Sequence, residues 1–91
     1  MMRITRAGGT DGVARLHVEG RLAGVEVSEL AASCEAYLAA HLPLLLDLSG
    51  VTFVDADGLR LLRAAGRRGA ALTGCSPLLG EMLRARRGGA R

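Results

Sequence analysis

The feature that most constrains this chain is the run Leu44-Leu45-Leu46-Asp47-Leu48 and the way the chain leaves it, through Val51-Thr52-Phe53-Val54-Asp55-Ala56-Asp57-Gly58-Leu59. A near-continuous apolar strand is what burial on both faces requires, so Leu44 to Leu48 predicts the centre of a parallel sheet covered by helices. Beyond the two aspartates, Leu59, Leu62 and Gly66 recur at helical spacing, with Leu61 and Ala65 beside them, through Arg67. The segment therefore stands where a central strand ends and a helix begins.

The rest of the chain fits around that unit. Met2 and Ile4 alternate with Arg3 and Thr5, and Ala14, Leu16 and Val18 alternate with Arg15, His17 and Glu19. With Gly8-Gly9-Thr10-Asp11-Gly12 between them, the two runs predict an antiparallel hairpin. Gly20 punctuates, and Arg21-Leu22-Ala23-Gly24 reads as a loop into a helix over Val25 to Ala40. Val27, Leu30, Ala31, Cys34, Leu38 and His41 share one stripe of that helix, opposite an acidic face of Glu26, Glu29, Ser33 and Glu35. Pro43 stops it. Ala70 to Thr73 makes a short last strand, and Ser76-Pro77 is a helix start, with Ser76 as N-cap and Pro77 at the first helical position, where its missing N–H is not needed. The expected fold is α/β: a small mixed sheet, an N-terminal antiparallel hairpin plus parallel strands, with packed helices in the order β-β-α-β-α-β-α. Residues 1–91 read as one domain in which 84–91 form a basic, frayed tail.

Composition narrows the chemistry. At 91 residues the chain has room for one modest core, and at 49% hydrophobic and 23% charged it lies in the globular range. All basic residues are Arg, and with abundant Ala and Gly this suggests a GC-rich bacterial or archaeal genome. Without Lys there is no P-loop lysine, no Schiff base and no receiver-type phosphoacceptor site. Cys34 and Cys75 form no CxxC and have no His at ligand spacing, so no metal or cofactor is expected and both read as thiols of a reducing cytosol. No signal peptide or membrane span is evident, which predicts a cytoplasmic protein.

At the turn itself, the free amides and dipole of the following helix favour an anion, which Asp55 or Asp57 can supply. Gly58 permits a tight entry and close backbone approach. Capping accounts for one Asp and the Gly and leaves the second carboxylate unexplained.

The stretch LLLDLSGVTFVDADGLRLL, preceded by VEGRL and followed by SPLLGEML, resembles the STAS domain of anti-sigma factor antagonists and of sulfate-transporter tails, over nearly the whole chain. In the regulatory members this turn reads Asp-Ser-Ser-Gly, and the second Ser is phosphorylated by a partner anti-sigma factor that is also a kinase. By position the resemblance equates Asp55 with the motif Asp, Ala56 with the first Ser, Asp57 with the phosphoacceptor and Gly58 with the Gly. Asp57 has no hydroxyl, so no ordinary phospho-switch is expected there. A fixed carboxylate carries less charge and reach than a phosphoserine and either imitates the phosphorylated state or pairs with an Arg of a partner that never switches. The acidic residue that many regulatory members have after GRL is also missing, since Ala23 and Gly24 stand there.

The resemblance implies a non-enzymatic interaction module. Its expected contact surface is Asp55, Ala56, Asp57, Gly58, Leu59, Arg60 and Arg63, with Gly20, Arg21 and Leu22 adjacent. Asp57 supplies charge to the partner, Gly58 close backbone approach, and Arg60 and Arg63 the rim. The expected partner is an anti-sigma factor and serine kinase; the alternative is the ATPase subunit of a lipid-transport ABC system. A third reading is a small nucleic-acid-binding protein, since Arg60, Arg63, Arg67, Arg84, Arg86 and Arg87 make the C-terminal part basic. Against it, Ala70 to Thr73 separates the helices that a helix-turn-helix would join directly, and stacking aromatics are missing. Exposed leucines leave room for a homodimer.

Overall fold

The computed structural model describes residues 1–8 and 11–89, with side chains through Arg84. Among the described residues, seven elements follow one another: β1 (Met2–Gly8), β2 (Ala14–Leu22), α1 (Val25–Ala39), β3 (Leu44–Val54), α2 (Ala56–Arg67), β4 (Ala71–Thr73) and α3 (Pro77–Gly89). The four strands lie in the order β1-β2-β3-β4, with β1 and β2 antiparallel and β2, β3 and β4 parallel. This is the mixed sheet that the sequence predicts. No described helix is long and apolar enough to cross a membrane.

Both parallel connections step in the same direction across the sheet, so right-handed crossovers place α1 and α2 on the same face. The two helices meet at their ends, where the Arg68 guanidinium donates to both oxygens of Glu35 at 2.7 and 3.3 Å. Beneath them lies one core: Leu16, Val18 and Leu22 from β2, Leu44, Leu46 and Leu48 from β3, Leu30 and Cys34 from α1, Leu62 and Ala65 from α2, and Leu79 from α3. Burial of such side chains, at roughly 25 cal/mol per Å² of apolar surface, is the main force holding the layers together.

The other face of the sheet departs from expectation. Leu44, Leu46 and Leu48 are buried, whereas Leu45 and Asp47 between them are only half-buried, so β3 is covered on one side and not on both. The uncovered side carries polar cross-strand rows. Asp47 pairs in register with His17 and Thr73, and its Oδ2 lies 3.0 Å from His17 Nδ1.

β3 is also longer than its apolar run suggests. It continues through Val51-Thr52-Phe53-Val54 beside an equally extended β2, whose Gly20, Arg21 and Leu22 pair with Val51, Phe53 and Val54. Gly20, Arg21 and Leu22 are thus strand residues and not a loop. Register shifts between His17 and Glu19 and between Gly20 and Arg21 give β3 extra residues and break the alternation by which a strand is recognised. Gly20 has φ 95°, and a Cβ there would stand 2.1 Å from the Met1 carbonyl oxygen, which accepts the Arg21 amide at 3.1 Å.

The helix ends follow local chemistry. Ser76 Oγ accepts the Leu79 amide at 3.1 Å, the expected N-cap of α3. α1 ends one residue before the expected Ala40. The His41 amide donates to Leu38 O at 3.1 Å and the Leu42 amide to Tyr37 O at 3.0 Å, a Schellman closure with His41 in the left-handed region at φ 58°. His41 is therefore exposed beyond the helix and not part of its apolar stripe. α3 runs on through Gly89, past Arg84 where the sequence suggested fraying; the remainder of that tail, residues 90–91, lies outside the described residues.

Candidate functional site

Asp55 and Asp57 stand two residues apart, and the structure gives them different work. Asp55 is the N-cap of α2, with extended backbone at φ −88° and ψ −178°. Its Oδ1 accepts the Gly58 amide at 2.7 Å, and its Oδ2 accepts the Gly24 amide at 3.0 Å. Its own amide donates to Leu22 O at 3.1 Å. Gly24, at the N-cap of α1, has no side chain to offer that helix, so Asp55 fastens the entries of two helices together. The amides of Gly58 and then of Gly24 hold the Asp55 carboxyl below the usual carboxylate range.

Asp57 lies in the first turn of α2 with its side chain 63% exposed, and pairs with Arg60 one turn on. The carboxylate faces solvent beside the positive end of the helix dipole. Its charge is partly matched from within the chain, because Arg60 is its partner as well as a candidate rim residue.

Gly58 is buried, and the close approach it permits is internal. A Cβ there would stand 2.7 Å from Leu22 O and 2.9 Å from Val54 Cγ1. Leu22 is fully buried, so Leu22 and Gly58 shape the surface from beneath and present no side chain to it. Arg63 is likewise drawn inward, donating to Met82 O of α3 at 2.7 Å. Ala56, Asp57 and Arg60 remain outward, Leu59 is half-buried, and Arg21 is exposed on the adjoining strand end.

A neighbouring feature escaped sequence reasoning. Between the last residues of β3 and the first turns of α3 lies a cleft of about 190 Å³ lined by Val51, Phe53, Val54, Leu78, Leu79 and Met82 among others. Phe53 is 44% exposed at its edge, and the Arg21 guanidinium stands 4.3 Å from the centre of the Phe53 ring. The sequence signal was a lone aromatic near the end of the strand, whose register with Arg21 only the bulges reveal.

The fold and the capped strand-turn-helix mark a STAS-type domain, and the comparisons agree. The chain belongs to the STAS domain family described as "Mlab, STAS domain", whose model matches residues 5–87. No curated protein matches it in sequence. Among solved structures it is similar to the anti-sigma factor antagonist SpoIIAA in its unphosphorylated form (TM-score 0.75, 16% identity, 90% of this chain and 82% of that one). It is also similar to SpoIIAA of Bacillus in the phosphorylated form (TM-score 0.75, 14% identity, 97% and 86%). A third likeness is an anti-sigma factor antagonist from Mycobacterium paratuberculosis (TM-score 0.73, 24% identity, 98% and 82%).

Proposed function

We propose that this chain is a non-enzymatic protein–protein interaction module of the cytoplasm, which binds its partner through the turn at the start of α2 and carries a permanent charge there. The observation behind this is the division of labour at the turn. Asp55 is engaged by two backbone amides, while the Asp57 side chain stands 63% exposed, at the position that the resemblance equates with the phosphorylated Ser of the regulatory members. A carboxylate cannot be switched by a serine kinase, so the module acts constitutively. Membership of the STAS family and likeness to anti-sigma factor antagonists support a protein partner. Two partner classes fit an anionic turn flanked by Arg: an anti-sigma factor that binds ATP, and the ATPase subunit of a transporter.

Capture of partners from native cytosol with the wild-type chain and with Asp57→Arg as parallel baits tests this reading. The expected result is an ATP-binding protein held by the wild type alone, with nearly equal thermal midpoints for the two baits. Equal capture by both, or an added phosphate on residue 57 after incubation with the captured kinase and ATP, would overturn it.

A further inference from the structure

Deepening the proposed function and resting on it, we infer that the cleft between β3 and α3 receives one large apolar side chain of the protein partner, and that Arg21 pairs with a carboxylate one helical turn from that side chain. The size of the cleft points to a side chain. Sites for whole small molecules run to about 300–1,000 Å³, whereas a cavity of about 150 Å³ takes a benzene ring, close to the about 190 Å³ here. Its walls are mostly apolar, with Thr52 and Ser76 the polar members, and part of them faces water: Leu78 is 71% exposed and Phe53 44%. A monomer gains nothing from holding these open, whereas an anchor side chain seated among them becomes a centre of binding energy.

Charge selects the kind of anchor. Among the described residues, Arg21 meets no carboxylate within 4.0 Å, and its guanidinium lies over the face of Phe53. Cation–π attraction holds the guanidinium over the ring, and the N–H groups not turned to it stay available for a carboxylate. Arg21 and the cleft share the Phe53 ring, so an anchor in the cleft and a carboxylate on Arg21 belong to one continuous patch. Side chains three or four residues apart on a helix suit such a patch, with Cβ atoms about 5–6 Å from each other. The cleft also continues the proposed contact surface, since Val54 lines it and Asp55 follows directly.

The test is methyl NMR of the full chain, following Val51, Val54, Leu78, Leu79 and Met82. The probe is a short stapled helical peptide carrying one Phe and, one turn later, one Glu on an Ala and Gln background. Saturable shifts of these methyls are expected, lost when the peptide Phe becomes Ala. Binding should weaken about two- to fivefold when the Glu becomes Gln or the protein carries Arg21→Gln, as for an exposed ion pair. Absence of shifts at about 2 mM peptide, or equal affinity for the Glu and Gln peptides, overturns the inference. So does binding of decanoate without binding of the peptide, which makes the cleft a lipid site, or a concentration dependence without peptide, which makes it a self-association surface. Should the peptide fail while Asp57→Arg still releases the captured partner, the cleft inference alone falls.

Discussion

Asp55 Oδ2 accepts the Gly24 amide at 3.0 Å across 31 residues of sequence, so one carboxylate ties the entrance of α1 to that of α2. Its protonation should be felt at both places. The Asp55 carboxyl lies below its ordinary value in the folded chain, with the Gly58 amide the first cause and the Gly24 amide the second. A depressed carboxyl contributes stability that is complete above the unfolded value and is lost as pH falls through the folded one. Asp55→Asn should therefore lower the thermal midpoint at pH 7 and flatten its decline below about pH 4, with faster amide exchange at Gly24 as well as Gly58. Exchange raised at Gly58 alone would show that the bond to Gly24 carries no weight.

Gly58 faces Leu22 O and Val54 Cγ1 at distances no Cβ tolerates. Gly58→Ala should destabilise the fold by roughly 1–3 kcal/mol, the cost of overpacking a closed contact, even though Ala is the better helix former. Urea unfolding checks this, and a stabilised variant would mean that α2 can pivot away from β2.

His41 holds a left-handed conformation at the closure of α1, φ 58°, with its side chain exposed. Glycine takes that position without steric cost. His41→Gly should accordingly raise stability by roughly 0.5–2 kcal/mol, in the range of helix-cap improvements. A drop in the midpoint on calorimetry would show that the imidazole makes a contribution of its own.

The two thiols should differ in reactivity. Burial in the core, with Glu35 adding to it, pushes the Cys34 thiol up to about 11, while Cys75 is half-buried on the approach to α3. Thiolate is the reactive form, so native alkylation at pH 8 should mark Cys75 and spare Cys34 until the chain unfolds. Peptide mapping by mass distinguishes the sites, and early labelling of Cys34 would reveal local opening of α1.

Much of this fold can be read from residues whose signals are local. Ser76 before Pro77 gives the start of α3, and the spacing of Leu30, Cys34 and Leu38 gives the buried side of α1. The extent of β3 is hidden because its register shifts break the alternation on which a strand is recognised, and because a leucine run looks alike whether one face or both are covered. At the site, Asp55 and Asp57 are equivalent in sequence. The Gly58 amide and the distant Gly24 amide together separate the fastening carboxylate from the exposed one. Arg63 reads as a rim residue until α3 brings the Met82 carbonyl to it. His17, which alternates with the buried Leu16 and Val18, lies on the uncovered side of β2, but Asp47 at 3.0 Å comes from a strand 30 residues away.

The strands stand in the sheet in the order in which they occur in the chain. No strand has to be threaded between two that are already paired, so a chain leaving the ribosome can lay each one against the edge left by its predecessor. Until Ala71–Thr73 is made, that growing edge is β3, the most leucine-rich segment of the protein. The nascent chain is thus most open to mispairing with its neighbours on a polysome just before its last short strand appears. When it does, Ala71, Leu72 and Thr73 pair with Leu45, Leu46 and Asp47 and cover the leucine-rich end of that edge.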